Sequence, residues 1–233
     1  RVSSHRRFGT AKWMLDPQDE TLIQSVPGFD GEPDALPATL DFVTARTEFY
    51  TAPSALPSVE RGSINLDLHR RDFTINTLAL RLDGRYYAEL LDYWGGGSDL
   101  ESRKIRVLHS LSFIDDPTRM LRAVRLEQRL DFSIEPRTLE LIQQALPLLN
   151  RVSGERIRSE LQLMYREDQL ISIMARLDAL GILAAIDPAL KWDQETEEAF
   201  ALVSSFECPG EWGLEDELEP EFLYSAALFK DLE

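Results

Sequence analysis

The chain has 233 residues, a formal net charge of −16, and 43% hydrophobic against 28% charged residues, the balance of a globular protein with an ordinary core. It contains no apolar run long enough to cross a membrane and opens on no charged-then-apolar leader, so neither a membrane span nor a signal segment is expected. A single cysteine, Cys208, excludes an internal disulfide and fits a cytoplasmic protein.

The negative charge is unevenly spread. From Lys191 to the end two bases face thirteen acids, a net −11, which leaves −5 for everything before. Arginines gather in 61–85 and 103–166, and local charge decides whether a phosphate chain can dock. An RNA ligand is therefore not excluded. Because the chain opens on Arg1 rather than Met, it is expected to be a piece of something longer.

In chain order, Phe8–Leu15 has strand composition and residues 16–38 read as a long polar loop. Residues 39–46 return as a strand with Asp41, Val43 and Ala45 on one face. Asp is disfavoured in a strand, so Asp41 is either a strand-edge turn residue or a functional one. Pro53 and Pro57 punctuate the next loop. The run 66–80 is expected to be helical, with Arg70, Arg71 and Asp72 one turn from Asn76. Two arginines could clamp a triphosphate, and Asp72 or Asn76 could bond a ribose hydroxyl; a solvated polar face is the alternative. Asp83-Gly84, flanked by alternating apolar residues, predicts a tight hairpin. Gly95-Gly96-Gly97 lacks P-loop and dinucleotide spacing and reads as a hinge. Residues 104–108 predict a short strand, after which the chain is expected to be helical to its end.

The stretch 113–126 carries the most chemistry. Asp116 suits a helix cap and Pro117 the first helical position, while Met120, Leu121 and Val124 form an apolar stripe. Asp116 and Arg119 are one turn apart, so a carboxylate acceptor and a planar donor can face the same way. Such a pair matches the amino donor and ring-nitrogen acceptor of cytosine and adenine, and meets acceptor with acceptor at uracil or guanine. The alternative is a capping aspartate followed by a surface arginine. Further starts are expected at Glu135-Pro136, serving 136–146, and at Ser153, with Ser153 as cap; helical patterns follow over 169–184, 194–206 and 220–230.

The residues resemble one family, the class II tRNA nucleotidyltransferases and bacterial poly(A) polymerases, up to about residue 165. Leu40–Glu48 looks like the strand bearing that family's third active-site carboxylate, here Asp41. The run Arg70-Arg71-Asp72-Phe73-Thr74-Ile75-Asn76 matches its ribose and triphosphate motif, and Asp92 through Leu100 its hinge between head and neck. Asp115-Asp116-Pro117-Thr118-Arg119 matches the nucleotide-selecting E-D-x-x-R motif, with Asp115 where the family usually has Glu. The segment 153–161, with Arg156 and Glu160, resembles the motif that braces the neck helices.

This resemblance implies an α/β head of the polymerase-β nucleotidyltransferase type, N-terminally incomplete, followed by an all-α neck and body. The expected divisions are 1–109, 110–168 and 169–233. Implied is transfer of C or A from CTP or ATP to a tRNA 3′ end, with release of pyrophosphate. The resemblance also implies Mg²⁺ held partly by Asp41, and nucleotide or RNA contacts from Arg122 and Arg125, whose alternative is a salt-bridged helix face. The D-x-D pair of the family is expected upstream of Phe8, so this stretch alone is expected to be inactive. Poly(A) synthesis and a non-catalytic RNA-binding module on the same fold are the other readings. The resemblance does not extend to residues 191–233.

Overall fold

The computed structural model describes residues 1–5, 9–15, 37–49, 58–206 and 219–231. Expectations for Phe8, residues 16–36, Pro53, Pro57 and Cys208 lie outside the described residues. The chain divides into two compact units, 1–49 with 58–70, and 50–57 with 71–233. The second of these carries all the helices from residue 96 onward. Among the described residues no helix is long and apolar enough to cross a membrane.

The first unit is built on strands. β1 (Val2–His5), β2 (Thr10–Met14) and β3 (Thr39–Val43) form an antiparallel sheet in that order, with Lys12 opposite Asp41. β4 (Arg46–Phe49) and β5 (Ser58–Arg61) make a second antiparallel pair. Helix α1 (Ile64–His69) is capped by the Ser63 hydroxyl, which accepts from Leu66 N–H. Buried Asp67 holds this corner, accepting from the Arg46 backbone N–H at 3.1 Å and from Arg70 Nη2 at 2.8 Å.

Here the structure corrects the expected 66–80 helix. Helix α1 ends at His69 with Arg70 as C-cap, Thr74–Thr77 is a 3₁₀ turn, and Ala79–Leu80 is a strand. Apolar residues of this run bury themselves as anchors of separate short elements, Leu68 in the first unit and Phe73 in the second. Helical spacing cannot distinguish that pattern from one continuous helix.

The second unit opens with the hairpin of β6 (Ala79–Leu80) and β7 (Leu90–Leu91). Its loop is wider than a two-residue Asp-Gly turn: Gly84 takes φ +58°, Gly84–Tyr86 forms a 3₁₀ turn, and Ala88 also has positive φ. The glycine run is a helix start. Gly95 (φ +73°) precedes α2 (Gly96–Glu101), and both Asp92 oxygens accept from the Gly96 and Gly97 N–H groups at 2.8 and 3.0 Å. Inside this start, Asp99 accepts from Thr74 Oγ1 and from Arg106 Nε.

β8 (Lys104–Ile105) pairs in parallel with β9 (Ser133–Ile134), a short strand inside the stretch expected to be wholly helical. Between them lie the short α3 (Ser112–Asp115) and α4 (Arg119–Arg129). Met120, Leu121, Ala123 and Val124 of α4 are fully buried and form the middle of one hydrophobic core. Around it pack α5 (Pro136–Ala145), α6 (Gly154–Met164), α7 (Leu170–Ala179), α8 (Ile182–Ile186), α9 (Gln194–Ser204) and α10 (Pro220–Leu228). Glu135 caps α5 through Thr138 N–H as expected. Ser153 occupies the cap position of α6, but its side chain makes no capping bond. Gly181, at φ +74°, splits the expected 169–184 helix in two.

Candidate functional site

The turn between α3 and α4 concentrates polar groups in a buried place. Asp116 is extended (φ −143°, ψ 97°) and ends α3. Its Oδ1 accepts from the Thr118 N–H at 3.0 Å and the Thr118 hydroxyl at 2.6 Å, which turns the chain into α4. Asp116 thus closes the turn before α4 on Thr118, while Thr118 takes the cap position with no side-chain capping bond, two residues later than the sequence suggested. Both Asp116 and Arg119 are buried, and Arg119 Nη1 donates to the Ser112 hydroxyl at 2.7 Å. The carboxylate and the guanidinium therefore flank one turn, each held by its own partners.

From α6, Arg156 Nη2 reaches the same Asp116 Oδ1 at 2.6 Å. Arg122, one turn into α4, points each nitrogen at a different carboxylate. Its Nε lies 2.7 Å from Glu160 Oε1, Nη1 lies 3.6 Å from Asp72 Oδ2, and Nη2 lies 3.8 Å from Asp116 Oδ2. Burial pushes the Asp116 carboxyl up, but the Thr118 bond and the charges of Arg156, Arg122 and Arg119 outweigh it and hold the group below the usual carboxylate range. Burial alone would lower Arg122; Glu160 first, then Asp116 and Asp72, raise it instead. An ionised Asp116 is acceptor-only, and with Oδ1 taken up by Thr118 and Arg156, Oδ2 is the oxygen left facing Arg122.

Asp72 and Asn76 do meet, without a helix between them. Asp72 Oδ1 accepts from Asn76 Nδ2 at 2.7 Å and from the Phe73 N–H at 3.0 Å. Asp115 is half-buried, with Oδ2 3.9 Å from His109 Nε2. Arg125 is bound to Glu167 at 3.1 Å, and Glu160 Oε2 is buried with no hydrogen-bond partner. For Arg122 and Arg125 the structure shows the salt-bridged helix face. Arg70 and Arg71 fall in different units: Arg70 is tied to Asp67, and Arg71 is exposed. Sequence reasoning passed over Ser112 and Thr118. A hydroxyl two residues after a capping Asp was the readable signal for Thr118; Ser112 had none.

Asp41 stands on β3 with Lys12 Nζ 3.6 Å away, and its side chain is 60% exposed. Among the described residues no three His, Cys, Asp or Glu side chains gather as a metal site. A carboxylate is the right hard ligand for Mg²⁺. One of them beside an ammonium group does not by itself fit a pair of such ions.

A small strand-built unit and a helical unit with a buried carboxylate–guanidinium turn define the class. Residues 24–106 match the family described as the poly A polymerase head domain, and residues 131–193 the one described as the probable RNA and SrmB-binding site of polymerase A. The A-adding tRNA nucleotidyltransferase of Geobacter sulfurreducens is 43% identical over 192 residues, 82% of this chain and 20% of that enzyme. The CC-adding tRNA nucleotidyltransferase of Deinococcus radiodurans is 38% identical over 66% of this chain and 41% of that enzyme. A CCA-adding enzyme in its apo form II superposes with a TM-score of 0.80 at 30% identity, over 100% of this chain and 51% of that one. The chain belongs to the class II tRNA nucleotidyltransferase and bacterial poly(A) polymerase family. It spans between a fifth and about half of the relatives named here.

Proposed function

We propose that the protein containing this chain transfers adenylate from ATP to the 3′ end of tRNA, in the cytoplasm, with release of pyrophosphate. The observation that carries the reading is the buried Asp116–Arg119 turn: an ionised, acceptor-only carboxylate beside a planar donor, both fixed by neighbours rather than by solvent. That pairing suits the amino group and ring nitrogen of adenine or cytosine and opposes guanine and uracil. Preference for the terminal A over CC addition is supported by the relatives. Three A-adding enzymes match 80–83% of this chain, while the CC-adding ones match 55–66%.

Within this reading Asp72 and Asn76 hold the ribose, the exposed Arg71 answers phosphate charge, and Asp115 supports Asp116 from the preceding turn, while Arg70 and Arg125 are taken up by Asp67 and Glu167. Arg156 and Glu160 keep α6 locked to this turn. Asp41 would supply one oxygen ligand to Mg²⁺. A solved tRNA nucleotidyltransferase, complexed with a primer tRNA and an incoming ATP analog, has a TM-score of 0.70 to this chain at 30% identity, which supports both ligands.

The test uses the full-length protein, Mg²⁺, and tRNA ending either in CC or before CCA, with each labelled nucleotide offered singly. Expected is A on the CC-ended tRNA alone, lost in Asp41→Ala and misdirected in Asp116→Ala. Incorporation of C on the shorter tRNA overturns the A-adding assignment. No incorporation of either nucleotide on any tRNA or RNA primer overturns the transferase reading.

A further inference from the structure

The β6–β7 hairpin is exposed in an unusual way. A turn of this length ordinarily carries small polar residues at its tip. This one presents Leu82 at 71% exposure and Tyr87 at 69%, with Leu80, Tyr86 and Leu90 also exposed around them. No described aromatic ring or cation stacks on Tyr87, so one flat face of a large side chain is held in water. Its backbone is fixed: Tyr87 N–H donates to Gly84 C=O, and Ala88 N–H to Arg81 C=O.

The cations beside it are sorted. The Arg81 guanidinium is 5.0 Å from the Tyr86 ring centroid and is balanced by Glu89 at 3.1 Å and Asp83 at 4.0 Å. Arg85 stacks on Tyr86 at 4.6 Å, and among the described residues no carboxylate lies within ion-pair distance of it. Stacking on Tyr86 holds Arg85 in place while leaving its planar N–H fork unpaired with any acid.

An exposed aromatic ring two residues along the same turn from an unneutralised, pre-positioned guanidinium supplies the parts of a single-stranded nucleic-acid contact. The hairpin also springs from Asn76 on one side and runs into Asp92 on the other, so it is continuous in sequence with the proposed nucleotide-binding segment. We propose that this hairpin is an RNA-binding surface on which Tyr87 stacks one unpaired base of the RNA substrate and Arg85 holds the adjoining phosphate. This rests on the proposed action on RNA, and adds a contact outside the Asp116–Arg119 turn.

The experiment is a binding titration of the full-length protein with CC-ended tRNA, without nucleotide, at several salt concentrations. Tyr87→Ala is expected to weaken binding about tenfold, within the range that removing one base–aromatic stack produces. Tyr87→Phe keeps the ring and the affinity. Arg85→Gln weakens binding and reduces the slope of log affinity against log salt by about 1. Ultraviolet irradiation should cross-link RNA to the peptide containing Tyr87. Wild-type affinity in both Tyr87→Ala and Arg85→Gln overturns the surface while leaving the proposed function standing. The same holds if these variants keep tRNA affinity but lose a protein partner. Wild-type protein that binds no tRNA at all overturns the proposed function together with this surface.

Discussion

Arg156 on α6 donates through Nη2 to Asp116 Oδ1 at 2.6 Å, across a separation of 40 residues. This bond ties the turn before α4 to a helix that follows it only after α4 and α5. With Arg122 on the other side, Asp116 sits in a field of guanidinium groups that is balanced by Asp72 and Glu160. Removing its charge therefore changes two things, the chemistry of the turn and the balance of the network. Asp116→Asn replaces an acceptor-only group by one that also donates. It should cost roughly 1–3 kcal/mol of stability, below the full value for a broken buried pair because Arg122 and Arg156 remain about a third exposed. Urea denaturation reads that loss. Misincorporation of G or U by the full-length protein reads the loss of selection.

The same carboxylate predicts an acid-side effect. Its folded-state pKa lies below the ordinary value, so the unfolded chain takes up a proton there first as pH falls. The stability it contributes is complete above the unfolded value of about 4 and disappears as pH drops through the lower folded value. Asp92, held down by the backbone N–H groups at the start of α2 against its desolvation, and Glu135, held down by Thr138, add to the same slope. The stability gap between wild type and Asp116→Asn, measured from pH 7 to pH 2, should shrink toward the acid end. A gap that is constant with pH would assign the loss to shape rather than charge.

Arg122→Lys tests the three-way contact. A guanidinium presents Nε, Nη1 and Nη2 to Glu160, Asp72 and Asp116 in one plane, and an ammonium group is a single point. Lysine can satisfy Glu160 or the aspartates, not all three. The expected cost is about 1–2 kcal/mol, seen as a lower urea midpoint. Glu160→Gln in the same background should cost less than in wild type, since the partner lost is already displaced.

Much of this arrangement was readable beforehand, for physical reasons. Pro136 after Glu135 marks a helix start that local sterics and orphan N–H groups impose, and that start is there; after Asp116-Pro117 the regular helix begins two residues later than expected, at Arg119. The apolar stripe of α4 was equally plain, because its period is set by the helix itself. What escaped was decided by long-range contact. Residues 66–80 have helical spacing, yet Asp67 is spent on Arg46 and Arg70, and Thr74 on Asp99, partners that no local pattern announces. The parallel pairing of β9 with β8 spans two residues a side, too short for any periodic signal. Arg122 and Arg125 looked free to meet phosphate because their acids, Glu160 and Glu167, lie 38 and 42 residues away.

The glycine run carries the last prediction. A Cβ on Gly96 would stand 2.3 Å from the Thr74 carbonyl oxygen and 3.0 Å from its carbon, both backbone atoms that cannot swing aside. At Gly95 a Cβ meets nothing within 4 Å, but the residue sits at φ +73°. At Gly97 the nearest atom is the end of the Asp92 side chain, 3.2 Å away. The three positions thus separate contact from conformation. Gly96→Ala must push α2 off the Thr74 turn, straining the buried Thr74–Asp99 hydrogen bond, and should cost about 2–3 kcal/mol. Gly95→Ala pays only for its left-handed backbone, about 1 kcal/mol. Gly97→Ala should fall nearest to wild type, because Asp92 can yield by a few tenths of an ångström. Urea unfolding of the three variants gives the order directly, and a Gly95→Ala loss larger than that of Gly96→Ala would show that the run acts through its backbone angle instead of its packing.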